Sequence, residues 1–396
     1  MKYRNLFSIS TIVFLSLSIF GGASNANASS SDSSQSLAGE GAEMNNSAAV
    51  ASIVPLTEKT DTVLRVAIVL SDISANKDNE FTRGFLLGLQ QASLPENSVS
   101  LKLMNGGVPE DSLYVQLTDY LPHAIFTTYD KECPSAVVNY RNNHFVKIFN
   151  VFDAKGEDYK TTPGVYQLLV PSAAFNSDVT SYMRENFGDN TLLIVGNPDG
   201  SDQILVDMLV NWPEDKMLLM SAEDFDNFNL EDGENYLIYP VSSEVDDITA
   251  LVSSIKTGMD KSPFSGVRLI GRPKWIDINN LATILDDTET FVPAKVYFEP
   301  TSASGKRFIT DFRNSYDLFP VKSYPVFAVM GYDSAVYFLP MLTGELRTSI
   351  EEWTPGDMLQ SYFNIVNEGP ETGGYNKGAY LLHYLPGGQM KKELMD

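Results

Sequence analysis

From Val63 onward, short apolar runs alternate with windows whose apolar residues recur at helical spacing. Residues 64–70 read as a buried strand running into Ser71 and Asp72. Phe81, Phe85, Leu89 and Ala92 then mark one face of a helix, and Val99, Leu101 and Leu103 alternate as a strand does. Leu113, Leu117, Tyr120 and Leu121 predict a second helix and residues 124–128 the next strand, completing a βαβαβ opening. The alternation continues with a helix after Pro134, strands at 145–151 and 165–170, a helical face through Val179, Tyr182, Met183 and Phe187, and a strand at 192–195. Ile204, Leu205, Met208, Leu209 and Trp212 form the clearest amphipathic stripe. Strands follow at 217–220, 236–239, 267–270 and 295–298, separated by helices through Val245, Ile248, Val252 and Ile255 and through Ile278, Leu281, Ala282 and Leu285.

Short strands alternating with helices imply parallel sheets covered on both faces. The last hundred residues differ. Phe308, Phe312 and Tyr316 mark one helix, and Tyr332, Ala335, Val336 and Leu339 another that Pro340 must kink or end. A strand at 379–384, flanked by Gly373-Gly374 and Gly387-Gly388, predicts a closing hairpin.

The first residues follow another pattern. Lys2 and Arg4 precede an apolar run of about fifteen residues from Leu6 to Phe20, and small residues end at Ala28. That run is shorter than the roughly twenty residues a membrane-spanning helix needs. It reads as a bacterial secretory signal cleaved near Ala28, which implies a periplasmic or secreted product without a direct membrane anchor. Residues 29–62 are rich in Ser, Ala, Gly and Asn and read as a flexible leader. What remains is longer than one core supports, so two lobes are expected.

Loss of Lys2 and Arg4 takes the net charge from −23 to −25, and so acidic a surface disfavours nucleic acid. Catalytic patterns fail one by one. Gly305-Lys306 is followed by Arg307, so no phosphate loop forms, and no glycine triplet follows the first strand. His123, His144 and His383 are scattered, which argues against zinc and against a Ser-His-Asp hydrolase. The acidic run from Asp224 to Asp232 lacks the glycine that a calcium loop needs at its turn. The lone Cys133 permits no internal disulfide. No enzyme, metal or cofactor is expected.

The strand ends remain, because open parallel sheets bind ligands at the carboxyl ends of their strands. The candidates are Ser71, Thr127, Thr128, Tyr129, Asn150, Phe152, Asp199, Tyr239 and Arg272, with Trp275 and Asn197 nearby. Their hydroxyls, amides, rings and single guanidinium suit a small polar molecule.

Several segments resemble the type I periplasmic binding proteins of the leucine/isoleucine/valine-binding kind. They are FTRGFLLGLQQA (81–92), HAIFTTYDKECPS (123–135), YQLLVPSAAFNSDV (166–179), FAVMGYDSAVYFLPML (327–342) and GGYNKGAYLLHYLPGG (373–388). The resemblance implies an α/β fold of two doubly wound lobes with mainly parallel sheets, joined by a three-strand hinge. It implies a first lobe of 63–166 plus 296–346 and a second of 167–295 plus 347–396. Thr127, Thr128 and Tyr129, with Asn150 and Phe152, would then meet the ligand's carboxylate, and Asp199, Tyr239 and Arg272 would face it from the second lobe. Amino-acid binders of this kind set a carboxylate against the ligand's ammonium, where this chain has Arg272-Pro273. That suits an amino acid less than an anionic metabolite. The expected function is solute binding for transport or sensing, read by a membrane transporter or an envelope protein. The alternative is an envelope scaffold or regulator that uses the same fold without a ligand. A cleft plugged by Phe152 or Trp275 would favour the scaffold.

Overall fold

Two seven-stranded sheets carry the alternation read above. The computed structural model describes residues 63–131, 133–198, 200–344 and 354–395. The expected signal sequence and leader over 1–62, and the candidate Asp199, lie outside them. In the first lobe the chain runs β1 (Leu64–Leu70), α1 (Asn76–Gln91), β2 (Val99–Asn105), α2 (Glu110–Tyr120), β3 (Ala124–Thr127), α3 (Ser135–Asn143), β4 (Lys147–Asn150), α4 (Asp158–Thr161) and β5 (Val165–Gln167). The second lobe follows with α5 (Ser172–Phe187), β6 (Thr191–Val195), α6 (Gln203–Asn211), β7 (Met217–Met220), α7 (Ala222–Asp226), β8 (Asn235–Pro240), α8 (Val245–Lys261), β9 (Gly266–Ile270), α9 (Leu281–Ile284) and β10 (Glu289–Ala294). The chain returns as α10 (Ala303–Tyr316) and α11 (Phe327–Gly344). It then forms β11 (Gly356–Asp357), β12 (Tyr362–Phe363), β13 (Ile365–Asn367), β14 (Gly374–Asn376), β15 (Ala379–Leu385) and β16 (Gln389–Met395).

The first sheet has the order β13-β14-β5-β4-β3-β1-β2 and the second β16-β15-β10-β9-β8-β6-β7. Strands β1 to β5 and β6 to β10 pair in parallel, and antiparallel β13 and the β15–β16 hairpin extend one edge of each sheet. Both lobes therefore wind alike: one strand outward, then a return past the first strand to the other side.

Alternate residues serve opposite faces. Val66, Ile68, Phe126 and Phe149 pack under α1 and α11 with Phe81, Phe85 and Phe338, while Ala67, Val69, Ile125 and Ile148 pack under α2 and α3 with Leu117, Val137 and Tyr140. In the second lobe Leu193, Ile238 and Leu269 meet α8 through Ile248, Val252 and Ile255. Ile194, Leu237 and Ile270 meet α5 and α6 through Phe175, Val179, Leu205 and Met208.

Three connections cross between the sheets: 168–171, 295–302 and 377–378. Asn376, buried at the end of β14, ties the first and the last of them together. Its Nδ2 donates to the carbonyls of Leu168 (3.1 Å) and Tyr362 (2.9 Å), and its Oδ1 accepts from the backbone N–H groups of Asn364 (2.8 Å) and Gly378 (3.0 Å).

Three expectations change. The strand expected at 295–298 is crossing connection, and the true strand β10 lies just before it. The closing segment divides, because β13 and β14 join the first sheet and only β15 and β16 join the second. Helix α11 continues past Pro340 to Gly344, where the Thr343 hydroxyl donates to the carbonyls of Leu339 and Pro340.

Candidate functional site

The connections leaving β1 and β3 diverge to opposite sides of the sheet, and such a divergence opens a crevice at the strand ends. Here the Ser71 N–H donates to Thr128 Oγ1 at 2.9 Å. Asp78, fully buried in the first turn of α1, accepts at Oδ2 from the Ser71 hydroxyl (3.0 Å) and the Asp72 N–H (2.6 Å). Its other oxygen has no partner among the described residues.

Thr127 and Asn150 sit one strand apart and serve each other. The Thr127 hydroxyl and the Cys133 thiol both donate to Asn150 Oδ1 at 2.7 Å. Burial pushes the Cys133 thiol up to about 12, so it is a protonated donor rather than a nucleophile. Tyr129 lies where Gly106 leaves room, since a Cβ there would come within 2.1 Å of the phenol oxygen. Burial and then the Asp78 carboxylate raise the pKa of that phenol. Phe152 is buried in its own lobe, edge-on to Phe81 and Phe327, with the Lys77 ammonium 5.4 Å from its ring centre. The next residue, Asp153, is buried too. Its Oδ1 accepts from the N–H groups of Lys155 and Gly156, and its Oδ2 has no partner among the described residues.

In the second lobe the matching crevice lies between β6 and β8. The Tyr239 hydroxyl donates to Asp202 Oδ2 at 2.7 Å, and Arg272 Nη2 lies 3.1 Å from the same oxygen. Arg272 also donates to the Val241 carbonyl. Asp202 caps α6 by accepting the Leu205 N–H. Burial, reinforced by Asp202, holds the Tyr239 phenol far above its ordinary range. Arg272, the one guanidinium nominated, is thus a neutralised cation. Trp275 is fully buried in the core of its lobe, against Gly271 and Val292, and it does not plug a cleft.

The nominated residues that the structure describes therefore gather in two groups, one at the strand ends of each lobe. Sequence reasoning missed Asp78, Asp202 and Lys295. Asp202 stands just before the amphipathic stripe at 204–212, a capping signal that was there to be used. Lys295 follows β10 in the crossing connection. Its Nζ donates to the Ser172 hydroxyl at 2.8 Å and lies 5.5 Å from the centre of the Phe175 ring. Its own N–H donates to the Tyr324 hydroxyl of the first lobe. Burial, and then the neighbouring Lys155, pull its amine down to about 8.

Two doubly wound lobes with three crossings between them define the fold of the type I periplasmic binding proteins, and solved structures bear this out. One is a protein from Rhodospirillum rubrum assigned as a branched-chain amino acid ABC transporter, with a TM-score of 0.57 at 11% identity over 83% of this chain and 99% of that one. Another is full-length LpoA from Haemophilus influenzae, with a TM-score of 0.51 at 8% identity over 84% of this chain and 59% of that one. No protein-family model matches the sequence, and no curated protein matches it. The likeness is one of fold.

Proposed function

We propose that the chain is an exported, non-catalytic binding module that holds a small polar ligand between its lobes and presents the closed form to a membrane transporter or another envelope protein. The observation that carries this reading is the hinge. Three short connections cross at one place, Asn376 ties two of them, and the strand-end crevices of both lobes open beside them. Among the described residues no helix is long and apolar enough to cross a membrane. Closure follows occupancy only when the ligand binds the closed form better than the open one. Calorimetry against metabolite pools, paired with small-angle scattering, tests this. The expected result is heat and a smaller radius of gyration with at least one pool, and the absence of both with every pool overturns it.

One observation favours the second reading, an envelope scaffold without a small ligand. The polar groups nominated at the strand ends are largely bonded to one another, as in Thr127–Asn150–Cys133 and Tyr239–Asp202–Arg272. On that reading no pool compacts the chain.

A further inference from the structure

We propose that Lys295, with Lys155 beside it, forms an anion-receiving position between the lobes, so that the bound molecule is a small oxyanion, a carboxylate or a phosphate. This rests on the interlobe-ligand reading above and deepens it.

Both lobes meet around this ammonium. Ser172 and Phe175 reach it from the second lobe, and the Tyr324 hydroxyl takes its backbone N–H from the first. The Ser172 N–H in turn donates to the Ala154 carbonyl at 2.9 Å, which brings the first-lobe loop carrying Lys155 to the same junction. A group bound here touches both halves, as closure on a ligand requires.

The charge is uncompensated. The chain holds 51 acidic residues against 28 Lys and Arg, and other cations that are partly shielded from solvent are paired with acids, Arg272 with Asp202 and Lys392 with Asp357. Lys295 and Lys155 enter no ion pair with any described residue. A largely buried ammonium is costly unless paired, and a second lysine nearby makes it costlier. The depressed amine at about 8 reports that cost. An oxyanion between the two lysines removes it. Of the three hydrogens on Lys295 Nζ, one is engaged by Ser172, which leaves donors for a ligand. Helix α5 begins at the same place without a side-chain cap, and although the Ser172 N–H is taken by Ala154, the positive end of the helix dipole adds to the attraction.

The test titrates succinate, inorganic phosphate and zwitterionic leucine by calorimetry into the full chain and into Lys295→Gln and Lys295→Arg. Succinate or phosphate is expected to bind, and which of them binds identifies the oxyanion. Lys295→Gln is expected to weaken that binding at least tenfold, while Lys295→Arg stays within a few-fold. If Lys295→Gln does not fold, wild-type Lys295 is labelled with trinitrobenzenesulfonate, and the bound anion is expected to protect it. Unchanged affinity in Lys295→Gln, unprotected labelling, or failure of both anions to bind overturns the proposal. Leucine that still compacts the chain when both anions fail leaves the interlobe reading standing. Failure of every probe and of every pool removes both.

Discussion

Asp333 is a carboxyl with no cation against it among the described residues, fully buried on α11, and it accepts the backbone N–H groups of Leu359, Gln360 and Ser361, each at 3.0 Å. Burial outweighs those three donors and pushes the group up to about 7. A carboxyl raised in this way binds its proton more tightly folded than unfolded. Its stabilisation is full below the ordinary carboxylate range near 4 and is lost as pH rises through about 7. At about 1.4 kcal/mol per pH unit, the loss is roughly 4 kcal/mol. Thermal unfolding of wild type and Asp333→Asn should show it. The wild-type midpoint is expected to fall relative to the variant between pH 4 and pH 8, and parallel curves would refute the assignment. The variant starts lower at acid pH, because its amide nitrogen turns a donor toward one of the three N–H groups. Asp333 was not legible in the sequence, since its partners lie 26 to 28 residues away across a gap that periodicity does not span. Thr127 and Thr128 were legible because they end an apolar run, and Asn150 because it is a lone amide inside another. Their engagement with one another was not.

The elements were read where burial was two-sided and repeated. β1 to β5 of the first sheet and β6 to β9 of the second were found within a few residues, because most of these runs are apolar and buried, while β2 shows instead the alternation of a strand half open to solvent. β10 was displaced by one segment. Its Pro293 argues against a strand, and Lys-Val-Tyr-Phe just after it alternates like one. The proline is tolerated because β9 pairs β10 only as far as Phe291, so Pro293 lies past the last parallel partner. β13 and β14 are three residues each and carry too little pattern to read. Helix pairing left a subtler mark. Gly84 of α1 and Gly331 of α11 let the two backbones touch, since a Cβ would come within 1.7 Å of the Ala328 carbonyl oxygen in one case and 2.0 Å of the Phe81 carbonyl oxygen in the other. In an isolated helix Gly→Ala gains up to about 1 kcal/mol. Here the clash is with backbone, which cannot rotate away. Gly331→Ala is therefore expected to lower stability by about 2 kcal/mol or more, read as a drop in the denaturant midpoint. A midpoint at or above wild type would show that the helices separate freely.

At the scale of the whole molecule, two lobes were implied by chain length and the hinge by resemblance, but the contacts that set the hinge angle were invisible to both. One such contact lies on the surface. The segment between α10 and α11 belongs to the first lobe, yet Lys322 Nζ donates to Asn279 Oδ1 of the second lobe at 2.9 Å, and both residues are exposed. A solvated hydrogen bond of this kind is worth about 1 kcal/mol at most, which is about a fivefold change in the ratio of closed to open forms. The bond joins the lobes in the form described, so its removal favours any form in which they stand farther apart. Lys322→Ala is therefore expected to increase the radius of gyration of the free chain in small-angle scattering. The same coupling weakens any ligand that selects the closed form by up to about fivefold, with no contact between Lys322 and the ligand. Asn279→Ala is expected to do the same, and the double variant to do no more than either single one, because only one bond is lost. Additive effects would mean that the two residues act separately. An unchanged radius in both single variants would mean that the crossing connections alone hold the lobes in place.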